Sequence, residues 1–209
     1  MKNIFLLLRI KHWTKNLICF AGIIFGGELY NINYWILSFG AFISFCFISS
    51  FVYVLNDIID KDLDKYHYRK KYRPIPNGDI SVEYAIFIGS IALSIGLVFG
   101  WLLGASIFLI ILFYIFNNIL YSFFLKKLPI IDVFSISLGF ILRMMSGVYV
   151  IGDLPTTWIT ICTMFLALFL GFSKRFAEKI SIKNNNHFNQ RFVLTNYKNK
   201  DLISLVNET

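Results

Sequence analysis

Asn56, Asp57, Asp60 and Asp64 stand at intervals that a helix turns into one stripe. At about 100° per residue, with Asn56 at zero, Asp60 falls at about 40°, Asp64 at about 80° and Asp57 at about 100°. Tyr53, one turn earlier, falls at about 60°. Five polar groups therefore share one sector of the helix, while Asp62 points away from it. Three carboxylates and an amide on one face repel each other unless a cation lies among them. Hard-oxygen donors of this kind suit Mg²⁺, which keeps several waters and bridges to substrate phosphates. Asn56, Asp57, Asp60 and Asp64 are thus the expected metal ligands, with the three aspartates as the catalytic set. A plainer reading is a solvated acidic helix end partnered by Lys61 and Lys65. The strongly apolar turns before the stripe count against it.

Directly after the stripe comes His67-Tyr68-Arg69-Lys70-Lys71-Tyr72-Arg73-Pro74. A metal-binding acidic cluster beside Lys and Arg suits a diphosphate, held by Mg²⁺ on one side and by ammonium or guanidinium groups on the other. A membrane-flanking basic loop with no ligand would also explain the composition. Other ionisable groups sit where charge is expensive. Arg143 lies near the middle of an apolar run, too deep to reach the interface easily, and so marks either a functional cation or a structural ion pair. Asp132 follows Pro129 by one turn at the start of that run, where an acid also suits the helix dipole. Asn117 and Asn118 fit bridges between helices. Lys174-Arg175 with Glu178 closes the last run, and either contacts an anion or marks a helix end. Walker loops, serine elbows and His/Cys metal sets are absent from the sequence, so metal-assisted departure of a diphosphate is the chemistry left standing.

The elements that must position these groups are membrane helices. Of the 209 residues, 57% are apolar, 18% aromatic and only 15% charged, and the mean hydropathy is +0.66. A soluble domain carries about a quarter charged residues, so the class is an all-α, multi-pass transmembrane bundle. The expected spans begin with one from about Trp13 to Gly27, followed by Tyr34–Ile59, Val82–Leu103, Ala105–Leu125, Ile130–Ile151 and Thr156–Phe172. Residues 61–80 form a polar loop and 173–209 a polar tail. The first run resembles a signal peptide in its basic flank, but the runs after it and the lack of a cleavage pattern favour a span. Cys19, Cys46 and Cys162 are scattered through apolar runs, as small core residues are.

The net charge of +8 raises nucleic acid as a partner, but the placement of the charge excludes it. The N-terminus, the 61–80 loop, the 126–127 connection and the tail hold 4, 6, 2 and 7 of the 20 Lys and Arg residues. The connections at 28–33, near 104 and at 152–155 hold none. The positive-inside rule then puts the N-terminus, the stripe and the tail on the cytoplasmic side of the cell membrane. The basic surplus is a topology signal that also suits anionic lipid.

With these residues in view, the chain resembles the UbiA-type prenyltransferase superfamily, whose first signature is N-D-x-x-D-x-x-x-D; Asn56, Asp57, Asp60 and Asp64 match it position for position. The second Asp-rich motif of that superfamily is missing, and Ser173-Lys174-Arg175-Phe176-Ala177-Glu178 stands in its place. This departure resembles the decaprenyl-phosphate phosphoribosyltransferase branch. Arg9-Ile10-Lys11-His12-Trp13-Thr14-Lys15-Asn16 is similar to the branch's R-P-K-Q-W-x-K-N, with Ile10 in place of proline. His67 to Gly78 is similar to its H-P-x-K-R-x-R-P-I-x-x-G, with Tyr68 in place of proline. Tyr121-Ser122 through Lys126, Asp132, Gly139 to Arg143, and Lys174-Arg175-x-Ala177-Glu178 extend the likeness over most of the chain.

The resemblance implies Mg²⁺-dependent transfer of 5-phosphoribose from phosphoribosyl diphosphate to a polyprenyl phosphate. It also implies a substrate-binding set: Lys11, Lys15, Tyr53, Asn56, Lys70, Arg73, Tyr121, Lys126, Asp132, Arg143, Lys174 and Arg175. A single acidic stripe grips one diphosphate, here on the sugar, and Arg143 suits a lipid phosphate at membrane depth. The superfamily fold has nine helices and this chain supplies six before its tail, so a C-terminally incomplete single domain is expected. The rival enzyme is an aromatic prenyltransferase using prenyl diphosphate. The non-enzymatic rival is a transporter or scaffold with an internal ion pair, and self-association is left open.

Overall fold

The computed structural model describes residues 2–185, 204–206 and 209. All its longer elements are helical: α1 (Lys2–Leu7), a 3-10 segment (Ile10–Phe20), α2 (Ala21–Gly26), α3 (Ile32–Ile59), α4 (Lys61–Lys65), α5 (Val82–Leu102), α6 (Ala105–Phe123), α7 (Ile131–Tyr149) and α8 (Thr157–Asn185). Among the described residues, five stretches are long and apolar enough to cross a membrane: α3, α5, α6, α7 and Thr157–Ile180 of α8.

Local chemistry sets several of these boundaries. Asn31 caps α3 by accepting from the Asn33 amide at 3.2 Å, and Ser81 caps α5 by accepting from the Tyr84 amide at 3.2 Å. These are the N-cap side chains that hydroxyl and amide residues commonly supply. Between α5 and α6 the chain reverses at Gly104, whose φ of +112° is costly for any residue with a Cβ.

Two expectations change here. The first expected span is not one helix. Its place is taken by the 3-10 segment and the six-residue α2, fastened laterally to α3. Trp13 Nε1 donates to Ser50 Oγ at 3.0 Å, and the buried Asn16 amide donates to Cys46 Sγ and Ser49 Oγ, each at 3.3 Å. A buried amide that must find side-chain partners favours this irregular path over a clean apolar span. The sixth expected span also runs on: α8 continues past Phe172 to Asn185, so the start of the polar tail is helical.

The chain divides into two compact units. The first comprises residues 1–116 and 142–155, and the second residues 117–141 and 156–209. In the first unit α3 and α5 pack through a seam of small residues. Ala85, Gly89, Ala92, Gly96 and Gly100 are all buried on α5. A Cβ at Gly96 would lie 2.6 Å from Ile48 Cγ1, and Ser44 Oγ donates to the Gly96 carbonyl at 2.7 Å. Membrane helices associate through such close backbone approach, because lipid tails leave little hydrophobic drive between them. A cluster of Leu7, Val54, Ile75, Ile80 and Ala85 lies beneath the loop that follows the stripe. In the second unit Val133 of α7 packs with Leu168 and Phe172 of α8.

Candidate active site

The acidic stripe is bent at Asp60. Helix α3 ends at Ile59, Asp60 takes φ −90° and ψ 3°, and α4 carries Asp62 and Asp64 onward. The one-helix expectation is corrected at this point, but the hydrogen-bond ladder continues through the bend. Asp60 N–H reaches the Asn56 carbonyl at 2.9 Å, and Asp64 N–H reaches the Asp60 carbonyl at 2.8 Å. Asp57 and Asp64 are buried, and Tyr53, Asn56 and Asp60 are half-buried. Asp62 is outside the cluster and pairs with Lys65 at 2.9 Å in solvent, which holds its carboxyl below the usual range.

Cations from both flanks close on the stripe. Arg9 Nη2 donates to Asp57 Oδ1, with its guanidinium 4.7 Å over the Tyr53 ring. Arg73 Nη1 donates to Asp57 Oδ1 at 3.0 Å and to Asp64 Oδ2 at 2.6 Å. Lys70 Nζ donates to Asp64 Oδ1 at 2.9 Å. Two buried carboxylates of like charge are tolerable in this setting because each is bonded to a cation. Arg9 reaches its position from a left-handed backbone, φ +52° and ψ +46°, which is uncommon for a residue with a Cβ and occurs where the surroundings over-determine it. Burial pulls its guanidinium below the ordinary value, and the Asp57 charge opposes that shift.

The donor chemistry fits Mg²⁺. Asn56 Oδ1 is buried and has no hydrogen-bond partner, an orphaned hard-oxygen acceptor beside Asp57. No group of three or more His, Cys, Asp or Glu side chains converges into a ready metal cage among the described residues. Mg²⁺ is usually bound by one or two carboxylates with water and substrate phosphate completing the shell, so a partial protein shell is the appropriate one.

Deeper in the same unit, Arg143 is buried on α7. Its Nε donates to Asn16 Oδ1 at 2.7 Å, and its Nη2 donates to the Tyr114 hydroxyl, with the guanidinium 4.6 Å from the Tyr114 ring. Lys15 stands close enough to Arg143 and Arg9 to feel both positive charges, and Lys11 is exposed on the same segment. The first unit thus brings together Tyr53, Asn56, Asp57, Asp64, Lys70 and Arg73 of the expected site.

Tyr121, Lys126, Asp132, Lys174 and Arg175 belong to the second unit. There Arg175 Nε donates to Asp132 Oδ2 at 2.7 Å and Arg175 Nη1 to Glu178 Oε2 at 3.1 Å, with Arg175 and Asp132 both buried. Asp132 and Arg175 are therefore partners of one another. Tyr121 and Lys126 are half-buried and Lys174 is exposed.

Sequence reasoning counted Arg9 only as a basic residue of the N-terminus and of the opening motif, and missed it as the partner of Asp57. Its place in Arg9-x-Lys11-x-Trp13-x-Lys15-Asn16, beside residues already under suspicion, was the available signal. Asn16 and Tyr114, the acceptors for Arg143, were also missed.

Known proteins similar to this chain share one family. Over 175 residues the chain is 35% identical to the decaprenyl-phosphate phosphoribosyltransferase of Corynebacterium glutamicum, covering 82% of this chain and 53% of that protein. It is 30% identical over 176 residues to the enzyme of the same name from Mycolicibacterium smegmatis, covering 82% and 55%. The chain spans about half the length of these curated relatives. Its fold matches a UbiA homologue from Archaeoglobus fulgidus, solved bound to GPP and Mg²⁺, with a TM-score of 0.78 at 23% identity over 97% of this chain and 73% of that one. The profile of the UbiA prenyltransferase family matches residues 16–178, and this integral membrane chain belongs to that family.

Proposed function

We propose that the chain transfers 5-phosphoribose from phosphoribosyl diphosphate to a polyprenyl phosphate of the decaprenyl type, with Mg²⁺, at the cytoplasmic face of the cell membrane. Such a product would feed cell-wall or glycolipid precursor synthesis. The observation that carries this reading is the interlocking of charge at the stripe, where Asp57 and Asp64 share Arg73 and are flanked by Arg9 and Lys70. A diphosphate with a divalent cation is a ligand that uses both signs at once. The phosphoribosyltransferase relatives support the donor, and the homologue bound to GPP and Mg²⁺ supports a diphosphate and metal in this fold. The placement of Lys and Arg supports the cytoplasmic orientation.

In this mechanism Asn56, Asp57, Asp60 and Asp64 would hold Mg²⁺, which when bound offsets the charge gathering on the departing diphosphate. Lys70, Arg73 and Arg9 hold diphosphate oxygens, and Tyr53 orients the donor from the same helix face. The bond between ribose C1 and the diphosphate oxygen breaks, and its electron pair leaves with diphosphate. A lone pair of the lipid phosphate oxygen forms the new bond to C1. That oxygen is anionic at neutral pH, so no strong general base is needed. Arg143 and Lys15 are the cations suited to position the lipid phosphate.

The test uses membranes containing the chain, phosphoribosyl diphosphate, polyprenyl phosphate and Mg²⁺, with mass spectrometry for phosphoribosylated lipid. Product from the wild type, lost in Asp60→Asn, is the expected result. A parallel arm supplies prenyl diphosphate and an aromatic acceptor. Prenylated product there, with none from phosphoribosyl diphosphate, would sink the proposal.

A further inference from the structure

The segment that follows the stripe has two faces. Lys70 and Arg73 turn inward to Asp57 and Asp64. Leu63, Tyr66, Tyr68, Arg69, Lys71 and Tyr72 are all exposed, with Leu63, Tyr66 and Tyr72 at 74%, 75% and 69%. The inward residues account for the site's chemistry, and this outward face plays no part in it.

Its composition is specific. The Arg69 guanidinium lies 5.2 Å from the Tyr68 ring centre, and the Lys71 ammonium lies 5.1 Å from that of Tyr72. Each pair presents an aromatic ring and a cation together. The segment joins the end of α3 to the start of α5, both membrane-spanning, so it lies near headgroup level. Tyrosine favours that depth because its ring is apolar and its hydroxyl polar. Lysine and arginine are drawn there when the leaflet carries anionic lipid. Leu63 and three tyrosines in open water would be an unusual exposure, whereas at a lipid boundary they are covered.

We propose that this outward face docks on the headgroups of anionic phospholipids in the leaflet bordering it. Phosphates engage Arg69 and Lys71, and Leu63, Tyr66, Tyr68 and Tyr72 seat among the glycerol and upper acyl carbons. The contact stiffens a segment whose other face carries Lys70 and Arg73, so leaflet composition bears on the order of the site itself.

The experiment is hydrogen–deuterium exchange of the intact chain in phosphatidylcholine nanodiscs and in mixed phosphatidylcholine–phosphatidylglycerol nanodiscs. Amides of residues 63–72 should exchange about twentyfold more slowly in the mixed discs, since each of the two basic side chains near an anionic surface favours contact by roughly fivefold. The doubly substituted Arg69→Gln/Lys71→Gln chain should lose most of that slowing, while exchange in α3 and α5 stays unchanged as evidence of folding. A Tyr68→Ala/Tyr72→Ala chain should lose part of it. Equal exchange in both membranes, or undiminished slowing in the Arg69/Lys71 variant, overturns the proposal. A third arm adds inorganic phosphate to phosphatidylcholine discs; slowing there would assign the effect to free anion and also overturn it.

Discussion

Arg73 and Asp57 stand sixteen positions apart and meet at 3.0 Å through Nη1 and Oδ1, and the same nitrogen reaches Asp64 at 2.6 Å. One guanidinium thus holds two buried carboxylates that come from different helices, α3 and α4. It ties α3 to α4 across the bend at Asp60 and balances charge in the site.

Arg73→Gln removes both contacts and leaves Asp57 with Arg9 and Asp64 with Lys70. Hydrogen bonds to charged groups are worth about 1.5–3 kcal/mol each. Affinity for phosphoribosyl diphosphate, measured by isothermal titration in detergent, should fall at least about tenfold. Arg73→Lys should recover part of the loss, because the charge remains and only the fork is gone. Unchanged affinity in the Gln variant would remove Arg73 from the binding set.

Chelation should act through the stripe. EDTA is expected to weaken binding of the same donor, and added Mg²⁺ or Mn²⁺ should restore it in the wild type but not in Asp57→Asn or Asp64→Asn. The comparison is made by titration of binding rather than turnover. A wild type whose donor affinity ignores EDTA would count against a metal at Asn56, Asp57, Asp60 and Asp64.

The Asp132–Arg175 pair predicts a stability pattern. Both side chains are nearly inaccessible, at 0% and 3%. Removing one partner of a buried pair costs about 3–5 kcal/mol, whereas replacing both with apolar residues is often nearly neutral, and Arg175 keeps its contact to Glu178 when Asp132 is lost. Thermal unfolding in detergent should show a large drop in Tm for Arg175→Met alone and a smaller one for Asp132→Leu, which leaves Arg175 its contact to Glu178. The double substitution should melt closer to the wild type. Additive losses would show that the pair is not coupled.

Gly147 offers a packing test. A Cβ at this position would fall 1.8 Å from the Cys19 carbonyl oxygen, and one at Gly22 would fall 2.2 Å from the Gly147 carbonyl oxygen. Backbone cannot yield as a flexible side chain does, so Gly147→Ala should lower Tm sharply or abolish folded yield. Gly27→Ala is the comparison. Nothing lies within 4 Å of its Cβ, and only the φ of +76° disfavours a side chain, so its cost should be about 1–2 kcal/mol. Similar losses for both variants would contradict the tight contact at Gly147.

The membrane class, all-α architecture and five of the helical runs were legible in the sequence, because a hydrocarbon solvent demands long apolar helices and leaves few alternatives. That the stripe must gather positive charge was legible too, since carboxylates clustered at helical spacing repel each other, and Arg9, Lys70 and Arg73 supply that charge. The first expected span was misread because its apolar count hides Asn16, whose amide requires partners on α3. The bend at Asp60 was hidden because helical periodicity continues on both sides of it. Pairings were beyond sequence altogether. That Arg175 is bonded to Asp132, that Arg143 takes Asn16 and Tyr114, and that Arg9 reaches Asp57 from a left-handed backbone each depend on residues far apart in the chain. Residue type says that a buried charge must be satisfied. Only the packing of the helices decides by whom, because many partners of the right chemistry exist and distance selects among them.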